Sequence, residues 1–143
     1  MTGLLLVAAL LAPPIDWANH DYGFFKLTNG VAEMREYVEA GGLHDTHIWT
    51  LKGAQAVTLG GRALTMVRIS TLDALASGPS REALLVVLFE GKTEIARVTI
   101  PTREAQVSVE KDRLIGQWKV GPERFTHHWQ LKDGKLVLVT RSY

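Results

Sequence analysis

Beyond Pro14 the chain alternates apolar and polar positions in short runs broken by turn residues, the period-two pattern of half-buried strands. The runs fall at 24–27, 48–59, 63–71, 83–89, 94–100, 106–110, 113–120, 126–131 and 135–141. Residues 83–89, Ala-Leu-Leu-Val-Val-Leu-Phe, are apolar throughout and predict a central strand covered on both faces. Asn29-Gly30, Gly60-Gly61, Glu90-Gly91-Lys92 and Lys132-Asp133-Gly134 supply tight turns, because Gly and Asn accept the positive φ that two-residue hairpins need.

Two segments carry a competing helical signal. In 31–40, VAEMREYVEA, Val31, Met34 and Val38 recur at helical spacing and Gly41 could cap the end. Asn29-Gly30 instead asks for a hairpin whose return strand runs over 31–38, and that reading is preferred. Residues 71–76 could form one helical turn before the loop Ser77-Gly78-Pro79-Ser80. The predicted class is therefore mainly β, all-β or α+β. It is a single domain built as an antiparallel curled sheet, a sandwich or a partly open barrel, with at most one or two short helices.

Composition narrows the picture. A chain of 143 residues with 46% apolar and 22% charged positions is long enough for one core without covalent staples. Sixteen Lys and Arg against fifteen acids, without a basic stripe, give no reason to expect nucleic acid. With no Cys, disulfides, thiolate nucleophiles and Cys-type metal sites are excluded. The apolar run from Leu4 to Ala12, followed by Pro13-Pro14, is too short to span a bilayer as a helix and reads as the core of a secretory signal. The expected organisation is a leader over residues 1–14 and one β-rich domain over 15–143. Secreted or periplasmic localisation is expected, with an N-terminal core segment of a cytoplasmic protein as the alternative.

Candidate chemistry centres on GGLHDTH, residues 41–47. On an extended path His44 and His47 diverge to opposite faces, while Asp45 and His47 share one. The expected path is a loop leading into a strand at Ile48, and only a helical one would bring the two imidazoles together. His44, Asp45 and His47, with His20 as a further donor, are the candidates for a metal ion or acid–base work. The bland account is a polar connection in which Asp45 and Thr46 make turn bonds. His127 and His128 point to opposite faces of a strand, the first beside Trp129. Asp16 and Asp21 lack the spacing of a calcium loop. Gly-x-Ser-x-Gly and phosphate-loop motifs are absent, so no catalytic residue is assigned. Trp17 and Tyr22 could recognise a partner or a sugar, though small β domains more often use such rings as core.

The succession of short motifs resembles a loose group of small exported bacterial proteins, some of them lipoproteins, of unestablished function. It consists of Asn19-His20-Asp21-Tyr22, Leu27-Thr28-Asn29-Gly30, the apolar strand 83–88 after a polar loop, and Lys132-Asp133-Gly134-Lys135-Leu136. The resemblance implies β structure and export and assigns no catalytic residue. With no Cys after the leader, the lipid anchor of some of those proteins is not implied here. The resulting expectation is a small exported, non-catalytic β domain that binds a protein or cell-envelope component. No cofactor and no stable membrane span are expected, and the oligomeric state is left open. Two alternatives accompany it. One is a metal-binding protein or hydrolase using His44, Asp45 and His47. The other is a cystatin-like cone with 31–40 as a helix and an apolar pocket at Trp49 or Trp118.

Overall fold

A computed structural model describes residues 14–37, 44–76 and 78–142. The predicted leader lies outside the described residues apart from Pro14, as do Val38, the proposed cap Gly41 and Ser77.

Nine strands follow in chain order: β1 (Val31–Tyr37), β2 (His44–Leu59), β3 (Arg62–Ala74), β4 (Arg81–Glu90), β5 (Thr93–Ile100), β6 (Gln106–Glu110), β7 (Arg113–Val120), β8 (Glu123–Lys132) and β9 (Lys135–Ser142). They form two antiparallel meanders, a five-stranded sheet β1-β2-β3-β4-β5 and a four-stranded sheet β6-β7-β8-β9. The mainly β class and the sheet architecture agree with the sequence reading. Two sheets result rather than a closed barrel, and the helical content among the described residues is a single 3₁₀ turn, Trp17–Asn19. Among these residues no helix is long and apolar enough to cross a membrane.

Local chemistry explains the turns. Asn29 and Gly30 have φ of 51° and 81°, and Asp133 and Gly134 of 51° and 73°, the paired positive values of a type I′ hairpin. Both helical alternatives resolve as strand over 31–37 and 71–74. Residues 31–37 are β1 because the Asn29-Gly30 turn sends the chain back along β2, overriding the helix propensity of Glu, Met and Arg. Residues 71–74 continue β3, pairing with 46–49 of β2 and 81–83 of β4. Strand β2 likewise starts at His44 rather than Ile48, because its first residues already pair with β1.

The alternation in β3 and β4 builds two cores. One face carries Leu64, Met66, Leu84, Val86 and Leu88, which pack with Leu114, Trp118 and Trp129 of the second sheet. The gap between the sheets is narrow at Gly116, where a Cβ would stand 2.9 Å from Cδ1 of Ile100 and 3.1 Å from the ring of Trp129. A turn-to-turn bond, Gly60 N–H to Asp112 Oδ1 at 2.7 Å, ties the sheets at one end. The opposite face carries Val67, Ile69, Leu85, Val87 and Phe89, covered by Tyr22, Phe25 and Leu27 from the segment before β1. That cover is why 83–89 can be apolar on both faces. Each large side chain buried there contributes about 1.5–3 kcal/mol of transfer free energy.

Candidate functional site

His47 sits on the face of the five-stranded sheet that the N-terminal segment covers. Register places it opposite Met34 of β1 and Asp73 of β3, and Asp45 opposite Glu36. Its Nδ1 lies 2.7 Å from Oδ1 of Asp73, and its Nε2 lies 3.7 Å from a carboxylate oxygen of Glu36. The Asp73 hydrogen bond holds the His47 pKa above the usual imidazole value. Burial opposes this, and the charges of Asp73, Glu36 and Asp45 add to it. Asp45 is engaged elsewhere, accepting the Ala76 N–H at 2.9 Å, so it anchors the chain leaving β3.

This geometry separates the residues that the sequence grouped. His44 and His47 fall on opposite faces of a continuous strand, and His44 lies near the Tyr37 ring, with centroids 5.9 Å apart. His20 is held in the aromatic cover, its ring 5.0 Å from Trp17, 4.8 Å from Tyr22 and 5.4 Å from Phe89. Among the described residues no group of three or more His, Asp and Glu side chains is arranged to hold a metal ion. The donor set does not fit one: His44 faces away, Asp45 is bonded to backbone, and the Nδ1 of His47 is taken by Asp73. The Nε2 of His47 is buried and has no hydrogen-bond partner among the described residues. A general base needs that nitrogen within reach of a substrate proton. The His47–Asp73 pair, with Glu36 beyond, instead fastens three strands of the sheet together.

Trp17 and Tyr22 belong to the same cover. Tyr22 is 5% exposed, stacks on Phe25, and donates its hydroxyl to the Trp17 carbonyl at 2.7 Å. Burial, aided by the Asp16 charge, pushes its phenol up to about 12. Trp17 is half-buried with its ring 4.5 Å from Phe89. Asp16 and Asp21 are occupied locally, Asp16 by Ala18 N–H and the Asn19 amide, Asp21 by Gly23 N–H.

A concave feature lies on the second sheet and includes Trp118, one of the two positions at which the cone alternative placed a pocket. A cleft of about 500 Å³ is lined by Thr102, Glu104, Gln117, Trp118, Lys119, Arg124 and Phe125, with Gln106 and Thr126 completing it. Trp118 stacks nearly parallel on Phe125 at 5.7 Å, and the His127 ring stands edge-on to Trp118 at 4.6 Å. The lining is mixed rather than apolar. Register sets Lys119 directly opposite Arg124, two cations facing each other across adjacent strands. Such a pair is unfavourable unless an anion is near, by about 0.2–1 kcal/mol. The signal available in the sequence was Lys119 and Arg124 flanking the Gly121-Pro122 turn, which sets them as cross-strand neighbours once that turn is recognised.

Compared with protein-family models, curated proteins and solved structures, the chain matches none.

Proposed function

We propose that this chain is an exported binding domain that performs no catalytic step and takes a protein or cell-envelope component at the Trp118 cleft. The observation that carries the reading is the cleft itself, which Lys119 and Arg124 line from the outer face of β7 and β8 and the stacked Trp118 and Phe125 from the inner face. A lining that joins Lys119, Arg124 and the acid Glu104 to aromatic side chains suits a ligand that presents charged or polar groups beside an apolar or planar one. Support for a non-catalytic role comes from His47, whose outer nitrogen is buried behind Glu36. Export rests on the apolar run before Pro14 and on the resemblance described above.

The test is a pull-down from envelope extracts with wild-type protein and with Lys119→Glu/Arg124→Glu. Wild type should retain a component that the double variant loses, and the loss should be salt-sensitive in the same direction. Equal recovery by both proteins, or none by either, overturns the reading.

A further inference from the structure

Strand β1 is the outer strand of the five-stranded sheet, and among the described residues only β2 pairs along its length. The direction of its main-chain groups follows from two sets of bonds. Leu51 N–H donates to the Gly30 carbonyl at 2.8 Å, so Gly30 and Leu51 form a hydrogen-bonded pair in the β1–β2 register. Alternation then turns the groups of Ala32, Met34 and Glu36 towards β2, and those of Val31, Glu33, Arg35 and Tyr37 outward. The Thr28–Val31 bonds at the turn, 2.9 and 3.2 Å, lie on that outward side and agree. Thr28 thus occupies the position beside Val31, and the edge open to a further strand is Ala32 to Glu36.

We propose that a second copy of this chain pairs antiparallel with β1 about a two-fold axis at Met34, joining two five-stranded sheets into one. The charges select this register. With Met34 opposite its own copy, Glu33 faces Arg35 of the other chain, and both present outward main-chain groups, as a hydrogen-bonded pair requires. Within one chain Glu33 and Arg35 already form an ion pair at 3.1 Å, with side chains 46% and 64% exposed. In the dimer the four charges alternate around a square, each with opposite charges on both sides. A shift of the register by one residue, which puts the axis between two residues, mismatches inward and outward groups. Centring it on Glu33 or Arg35 sets like charges directly opposite, which is destabilising. On the other face Met34, 41% exposed, covers its own copy. The pairing is self-complementary, as a two-fold interface must be.

The other outer strand with exposed apolar residues, β9, fits a second copy less well. Val137, Leu138 and Val139 are 40–43% exposed, but the register shift at Val139 in the β8–β9 pairing interrupts the regular alternation that a two-fold strand pairing needs. Strand β9 also lies against β5. Five residues on each side form a small interface, so the dimer belongs to the weak, concentration-dependent class.

Two experiments on the full chain test this. Since the chain has no cysteine, Met34→Cys is a single-site reporter. Residues opposite in a non-hydrogen-bonded pair have Cα atoms about 4.5 Å apart, within disulfide range. Met34→Cys should therefore oxidise to a covalent dimer. Ala32→Cys, about 13 Å from its copy by strand rise, should not. In sedimentation velocity, wild type should associate reversibly with rising concentration. Glu33→Arg or Arg35→Glu alone should weaken association by about tenfold or more. The double swap Glu33→Arg/Arg35→Glu should return it to within about threefold of wild type, because the square of alternating charges is restored. The charge variants lie on an exposed edge, and circular dichroism checks their folding. A wild-type monomer up to about 1 mM, where even weak pairing is populated, overturns the proposal. So do equal oxidation rates at positions 34 and 32, faster cross-linking by Val137→Cys on β9, or a double swap no better than either single change.

Discussion

Gly116 of β7 lies against Ile100 of β5 across the gap between the sheets, and Gly116→Ala tests that approach. An added Cβ would stand 2.9 Å from Cδ1 of Ile100 and 3.1 and 3.3 Å from two ring atoms of Trp129. Ile100 is 1% exposed and Trp129 is 7% exposed, so neither can swing away into solvent. Overpacking of this kind costs about 1–3 kcal/mol. Alanine is favoured over glycine within a strand by about 0.5–1 kcal/mol, which offsets part of the clash. The net expectation is a loss of up to about 2.5 kcal/mol, or up to roughly 8 °C in Tm for a domain near this size. Ile100→Val removes the atom at 2.9 Å and by itself should cost about 0.5–1.5 kcal/mol. In the double variant the clash is relieved on one side and the strand preference of alanine survives. The pair should then be less destabilised than the sum of its parts by about 0.5–2 kcal/mol. Urea denaturation of the four proteins of this cycle gives the coupling directly. Additivity within about 0.3–0.5 kcal/mol would refute the packing of β5 on β7 described here.

Two further predictions address the His47 cluster and a turn. His47 has a raised pKa, so its charged form stabilises the fold fully below the unfolded value of about 6.5, and that contribution is lost as pH rises through the folded value. The Tm advantage of wild type over His47→Gln should therefore shrink between pH about 5.5 and 8.5, with Asp73, Glu36 and Asp45 as the facing carboxylates. A difference in Tm that stays constant across that range counts against the assignment. Lys111 and Asp112 both hold positive φ, 49° and 61°, without glycine. Lys111→Gly should stabilise by about 0.5–1 kcal/mol in thermal melts, whereas Asp112→Gly should gain less, because it forfeits the bond to Gly60 N–H.

The strands and most turns were legible because they depend on neighbours in sequence. Period-two runs mark the first, and Asn29-Gly30 and Asp133-Gly134 the second. The all-apolar run 83–89 even announced that both its faces would be covered. What covers the outer face could not be read, since Tyr22, Phe25 and Leu27 reach β4 through tertiary packing with no local signature. The divergence of His44 from His47 followed from strand geometry alone. The true partner of His47 did not. Asp73 lies 26 residues away, and the β2–β3 pairing that aligns them contains a register shift between Leu51 and Gly53. A one-residue error there turns the wrong face of β2 towards the cover. Lys119 and Arg124 became a notable pair only after the turn between them was placed, since a single cation on a strand is an ordinary solvated side chain.

The aromatic cover also sets an order of events during synthesis. Trp17, Tyr22 and Phe25 leave the ribosome before the strands they protect, and their docking surface is complete only once Phe89 has been made. Until then the cluster of rings has no surface to cover, while β1 to β3 already have what they need to pair. A chain held unfolded for passage through a narrow channel would keep those rings exposed throughout. On emergence they would be the last part of the first sheet to settle. The segment that seals the outer face of the finished sheet is thus made before that face and docks after it.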